Sequence, residues 1–203
     1  MAKITHLFFD LGGVCLTNAW DHISRELAAK QFGYDFESSE IRHKKLFEDF
    51  ETGKISLADY LDEVIFYQNQ EFSKNEFVEF LKNQSAAHQS SLDILKKLAE
   101  EKNYCLSTLN NESLELNQFR IDKFGLKQYF TNFFSSCFIG LTKPHPEVYK
   151  KVLQITQTAG EQCLFIDDRE KNTEAAARCG FQILHLKTVS DLEQELKARE
   201  IIK

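Results

Sequence analysis

The stretch ITHLFFDLGGV, residues 4–14, decides how the rest of the chain is read. A short apolar, β-favouring run ends on one carboxylate, Asp10, and two glycines follow at once. Similar runs recur at YCLST (104–108), FFSSCF (133–138), CLFI (163–166) and FQILHL (181–186), with helical patterns between most of them. Strands alternating with helices predict an α/β fold, a doubly wound parallel sheet covered on both faces.

From about residue 18 to 100 that rhythm stops. This region holds amphipathic segments such as AWDHISRELAAKQF, SLADYLDEVIFYQ and SKNEFVEFLKN, with apolar residues at three-to-four spacing. Ser56 and Ser73 are placed as helix N-caps, and Gly33 and Gly53 where helices would stop. The expected organisation is a helical insertion at 17–84 and an α/β core built from 1–16 and 85–203. Ligands of doubly wound sheets sit at the carboxyl ends of the strands, so an insertion leaving from that edge would cover the site as a lid.

Composition narrows the classes of function. A chain of 203 residues, 42% hydrophobic, can bury one substantial core. Its net charge of -6 argues against nucleic acid or an anionic membrane as partner, because phosphate backbones are held by clustered Lys and Arg. The five cysteines are scattered and odd in number, which reads as reduced thiols in a cytoplasmic protein. No apolar stretch approaches bilayer-spanning length, and the N-terminus reaches an acid too soon for a signal peptide.

Polar residues of different kinds follow the strand runs. Asp10 follows the first, Ser107 and Thr108 end the second, Lys143 follows FFSSCFIGLT, and Asp167 and Asp168 follow CLFI. In a parallel sheet these points converge on one crevice. Taken singly, each has an ordinary reading: an acid after an apolar run is often a turn or helix-cap residue, and Lys143 could be one more solvated lysine. Together they supply carboxylates, a hydroxyl and an ammonium around a small volume, equipment for a divalent cation and a phosphoryl group.

The order FFDLGGV, LST, Lys143 in GLTKPHPEVY, then CLFIDDREKN resembles the four motifs of the haloacid dehalogenase-like hydrolase superfamily, spread over essentially the whole chain. The helical insertion resembles that superfamily's C1 cap. FETGKIS, GLTKPHPEVY and LFIDDREKN are similar to the branch of bacterial glucose-1-phosphate phosphatase-like proteins. The resemblance implies a Rossmann-like core and a Mg²⁺-dependent phosphatase of small phosphorylated metabolites, with sugar phosphates foremost, working as monomer or homodimer. It implies Asp10 as the nucleophile forming an aspartyl phosphate, and Mg²⁺ held by Asp10, the Gly12 carbonyl, Asp167 and Asp168. Thr108 would bond the phosphoryl oxygens, with Ser107 in its place if the register slips. Leu109, Asn110 and Lys143 complete the substrate-binding set, Lys143 neutralises charge, and Asn172 fits a polar position downstream of the acid pair.

Two departures matter. Phosphatases of this superfamily usually carry a second Asp two residues after the nucleophile, as general acid and base, and this chain has Gly12 there. Loss of such a group costs about 10²–10⁴ in rate for a poor leaving group. Asp21, His22, Glu48, Asp49 and Glu51 in the insertion are candidates for contacting the leaving group, each equally readable as part of a solvated helical face. The second departure is Thr108-Leu109-Asn110-Asn111, where a Ser or Thr followed directly by Asn is common. A metal-free 2-haloacid dehalogenase, and a catalytically weak protein binding a phospho-ligand or a partner, are the alternatives.

Overall fold

Leu7 and Phe9 point to one side of strand β1 (His6–Phe9) and Phe8 to the other, and all three are fully buried. A strand apolar on both faces is the central strand of a covered sheet. In the computed structural model, which describes residues 2–203, β1 lies between β2 (Cys105–Asn110) and β4 (Cys163–Asp167). Strands β3 (Asn132–Ser135) and β5 (Gln182–His185) form the two edges, and every pairing is parallel. This is the Rossmann-like sheet expected, in the order β3-β2-β1-β4-β5.

Each face carries its own layer. Leu7, Phe9, Leu106 and Ile166 pack against helices α5 (Gln89–Glu101) and α10 (Leu192–Ala198). Phe8, Leu109, Phe134 and Phe165 pack against α8 (Pro146–Thr156) and α9 (Glu170–Arg178). Full burial of such side chains is worth about 1.5–3 kcal/mol each, so the two layers fix the register of the sheet.

Four helices, α1 (His22–Phe32), α2 (Phe36–Glu51), α3 (Leu57–Val64) and α4 (Lys74–Asn83), lie between β1 and α5 and carry a separate apolar cluster. Apolar residues at 57, 60, 61 and 64 form one buried stripe of α3, and Tyr60 stacks on Phe50 of α2 with ring centroids 3.9 Å apart. Ser56 and Ser73 accept bonds from the backbone N–H groups of Asp59 and Glu76, and Ser73 with Glu76 completes a capping box. The two strands of chain joining these helices to the sheet run side by side. Thr17 N–H donates to Ala86 O at 2.9 Å, and its Oγ donates to Gln84 O at 2.7 Å.

Two expected strands end elsewhere. FFSSCF is not one strand: β3 stops at Ser135 and Ser136–Ile139 turn as the short helix α7, closed by left-handed Gly140 (φ 70°). The turn is held by Ser136, whose Oγ donates to Glu51 O at 2.6 Å. YCLST runs on through Leu109 to Asn110, because the Asn110 amide finds partners inside the fold. Its Nδ2 donates at 3.1 Å to Asn117 Oδ1 on helix α6 (Leu114–Lys123), and its Oδ1 accepts from Ser135 Oγ at 2.9 Å. No helix among the described residues is long and apolar enough to cross a membrane.

Candidate active site

Asp10 stands one residue beyond β1 with its N–H still bonded to Ile166 O at 2.9 Å, so the sheet itself aims its side chain. Both carboxylate oxygens are held, Oδ1 by Leu11 N–H at 2.7 Å and Oδ2 by Lys143 Nζ at 3.0 Å. Lys143 also donates to Asp167 Oδ2 at 2.6 Å and lies 5.3 Å from the centre of the Phe165 ring. Asn111 fixes the lysine's backbone from both sides: its Oδ1 accepts from Lys143 N–H at 2.9 Å and its Nδ2 donates to Lys143 O at 3.0 Å. Just beyond, His145 caps α8 through its ring Nδ1, and Pro146 takes the first helical position.

Asp167 is the last residue of β4 and is wholly buried. Its oxygens accept from Arg169 N–H at 2.8 Å, from Asn172 Nδ2 at 3.0 Å to each oxygen, and from Lys143. Asn172 therefore positions Asp167. Asp10, Asp167 and Asp168 each bring an oxygen within 4.8 Å of the others. One buried lysine faces three acids, and the imbalance shows in Asp10 and Asp168. Burial pushes the Asp10 carboxyl up to about 7, with Lys143 pulling it down and Asp167 and Asp168 adding to the rise. Asp168 is likewise raised, by burial and then by Asp167 beside it. Burial alone would lower the Lys143 ammonium, but Asp10 and Asp167 hold it above the usual lysine value.

This donor set fits a hard divalent cation. The acids offer oxygen alone, and Asp168 Oδ1 is buried without a hydrogen-bond partner among the described residues, the mark of an atom whose partner is an ion or water. Gly12 shares the cavity wall with Asp10.

The two glycines answer to different neighbours. A Cβ on Gly12 would stand 2.5 Å from Asn18 Oδ1, so Asn18 occupies the space into which a side chain at 12 would grow. Gly13 is left-handed (φ 72°), and a Cβ there would stand 2.3 Å from Asp168 Oδ2 and 3.1 Å from its Cβ. Gly13→Ala is expected to cost about 2–4 kcal/mol, from the backbone strain and the displaced carboxylate together. Urea denaturation of the metal-free protein checks it, and a loss below about 0.5 kcal/mol would show that Asp168 is not pinned by this contact.

The strand positions show where the second-motif residues stand. Thr108 is level with Phe9, one step short of Asp10, and shares the Phe9 face. Its hydroxyl is buried and, like Asp168 Oδ1, has no hydrogen-bond partner among the described residues. Leu109 lies in the apolar layer with Phe8 and Phe165, and Asn110 is engaged by Asn117 and Ser135. Ser107 accepts from Asn132 Nδ2 at 3.1 Å, within the sheet. Lys143 and Asn111 line the cavity directly.

The cavity measures about 530 Å³. Its floor is Asp10, Lys143 and Asn172, and its roof comes from Trp20, Phe47 and Phe50 of the inserted segment. Arg25 is buried in the roof and fixed in a fork on Glu40, Nε to Oε1 at 2.5 Å and Nη2 to Oε2 at 3.2 Å. Asp21 and His22 line this cavity; Glu48 and Asp49 do not. Sequence reasoning missed Arg25, which lies outside the motifs, and Arg169, which sits inside CLFIDDREKN.

Comparison with known proteins places this arrangement. The profile of the haloacid dehalogenase-like hydrolases matches residues 4–180. A chloroplast flavin mononucleotide hydrolase of Arabidopsis thaliana is 28% identical over 166 residues, 77% of this chain and 63% of the plant protein. The chain thus spans less than two thirds of that relative. A haloacid dehalogenase family enzyme of Bacteroides thetaiotaomicron superposes with a TM-score of 0.78 at 24% identity, covering 90% of this chain and 93% of that one, and it has also been crystallised with magnesium and inorganic phosphate. A predicted hydrolase of the same kind from Porphyromonas gingivalis superposes with a TM-score of 0.78 at 23% identity over the whole of both chains. The chain belongs to the haloacid dehalogenase-like hydrolases.

Proposed function

We propose that this hydrolase is a Mg²⁺-dependent phosphatase of small phosphorylated metabolites, sugar phosphates foremost, working through an aspartyl phosphate. The observation that carries the reading is the cluster of Asp10, Asp167 and Asp168 around one buried ammonium, with Asp168 Oδ1 left unpartnered. A dehalogenase needs no metal and leaves that acid pair without a purpose. The flavin mononucleotide hydrolase and the phosphate-bound Bacteroides enzyme support a phosphoester as substrate.

Asp10, the Gly12 carbonyl, Asp167 and Asp168 would hold Mg²⁺, which when bound screens phosphate from carboxylate and stabilises charge on the phosphoryl oxygens. Lys143 adds a fixed positive charge at the point of attack. Leu11 N–H and Lys143 hold the Asp10 carboxylate in one rotamer, so attack costs no reorientation. Asn172 and the Arg169 N–H keep Asp167 facing the lysine. The helices over residues 17–84 serve as a cap that excludes water during transfer, and their aromatic roof accepts the non-phosphate part of the substrate.

The expected result is phosphate release from p-nitrophenyl phosphate and from a panel of sugar phosphates in Mg²⁺, falling to background in EDTA. Turnover that survives the chelator, or chloride release from 2-chloropropionate without metal, would sink the reading.

A further inference from the structure

We infer that Glu51, brought to the cavity by the end of helix α2, donates the proton to the leaving oxygen, the task for which Gly12 has no side chain. The inference rests on the phosphatase reading. Five carboxylates line the cavity, and four are committed elsewhere. Asp10 is the attacking group. Asp21 caps α1 through Ser24 N–H, Glu40 is forked by Arg25, and Glu112 accepts from Arg120 Nη1 at 2.8 Å. Among the described residues Glu51 has no cationic partner within bonding distance, and its only side-chain bond is from Asn111 Nδ2 at 3.3 Å.

That bond ties Glu51 to the reaction centre. The same Asn111 amide binds the backbone of Lys143, whose Nζ binds Asp10. The inserted helices are seated firmly at this point. Ser136 Oγ donates to the Glu51 carbonyl at 2.6 Å, and Gly53 (φ 72°) lies so close to α7 that a Cβ would stand 2.8 Å from Cys137 O. Glu51 is therefore placed by both the insertion and the core. Its surroundings keep the proton on: burial and then Glu112 push it up to about 8, against the pull of Arg169 and Lys143. The other candidate donors fail. Burial and Arg25 drop the His43 imidazole to about 4, and His22 is exposed on Glu40.

The chemistry balances. As an Asp10 oxygen bonds to phosphorus, the bond from phosphorus to the leaving oxygen breaks, and that oxygen keeps the electron pair and takes the Glu51 proton. Water then attacks the aspartyl phosphate, its proton returns to Glu51, and the bond to Asp10 breaks to release inorganic phosphate.

Glu51→Gln keeps the shape and removes the acid. On glucose 6-phosphate, a poor leaving group, kcat in Mg²⁺ is expected to fall by about 10²–10⁴-fold. On p-nitrophenyl phosphate, whose leaving group departs without a proton, the fall is expected to stay under about tenfold. The native enzyme should lose activity on the sugar phosphate above a pH near 8, and Glu51→Gln should lack that limb. An infrared difference spectrum of native minus variant at pH 7 should carry a protonated carboxyl band, independent of turnover. Equal losses on both substrates, no loss on either, or no such band would overturn the role of Glu51 with the phosphatase intact. A native enzyme inert toward both esters would overturn the phosphatase reading itself and the acid with it.

Discussion

Asp10→Asn is expected to cut phosphate release by about 10⁴–10⁶-fold, the scale on which loss of a covalent nucleophile acts, while leaving the protein folded. The amide keeps the size of the side chain and its bond from Leu11 N–H, but cannot form the acyl phosphate. Stability should move the other way. Three acids face one lysine, and Lys143 keeps its 2.6 Å bond to Asp167 when Asp10 is neutralised. The native Asp10 carboxyl is raised to about 7. A raised acid binds more protons folded than unfolded between its unfolded value and its folded one, so its contribution is full at low pH and lost as pH climbs through about 7. In metal-free protein, Asp10→Asn should therefore melt a few degrees above the native chain at pH 8 and close to it at pH 4. Phosphate release and melting curves at the two pH values check both halves. A folded variant that keeps a tenth of the activity refutes the assignment of Asp10 as nucleophile, and one that melts below the native chain at pH 8 refutes the stability half.

Lys143→Met is expected to destabilise the metal-free protein by about 3–5 kcal/mol at pH 8, because it leaves buried carboxylates without their cation. Asp167 is wholly buried and Asp10 nearly so, and the Asn172 amide is then the remaining side-chain donor to Asp167. Asp10 escapes part of the cost by protonation. Without the ammonium its already raised carboxyl rises further, so the loss should shrink towards pH 5 and grow towards pH 8. Saturating Mg²⁺ should recover part of it, since a cation among the three carboxylates does some of the lysine's work. Urea titrations at pH 5 and pH 8, with and without Mg²⁺, give the four numbers needed. A loss independent of pH would mean that Lys143 acts through packing on Phe165 and not through charge.

The sheet was legible because its strands are short apolar runs between helical patterns, and helices α3 and α4 were legible because they carry apolar stripes and serine caps. Asp10, Lys143, Asp167 and Asp168 were legible for a related reason: each is a charged residue at or beyond the carboxyl end of a strand run, and a parallel sheet gathers such positions. Thr108 was not. Which residue of LSTLNN stands beside Asp10 depends on how far β2 runs, and that depends on Asn110 finding Asn117 and Ser135, seven and twenty-five residues away. FFSSCF misled in the same way, since Ser136 turns the chain to reach a carbonyl eighty-five residues back. Polar residues that pair at long range can be buried, and local pattern cannot tell them from residues facing a ligand.

The paired linkers at Thr17 and Gln84–Ala86 carry an evolutionary consequence. Because the insertion enters and leaves through adjacent points, one helical module can be exchanged for another without re-registering a single strand. In most enzymes of such modular build, exchange would alter only which molecule fits. Here the exchanged piece also carries Glu51, so a graft that discards α2 would change the range of alcohols able to depart, and substrate choice and proton supply would be inherited as one unit.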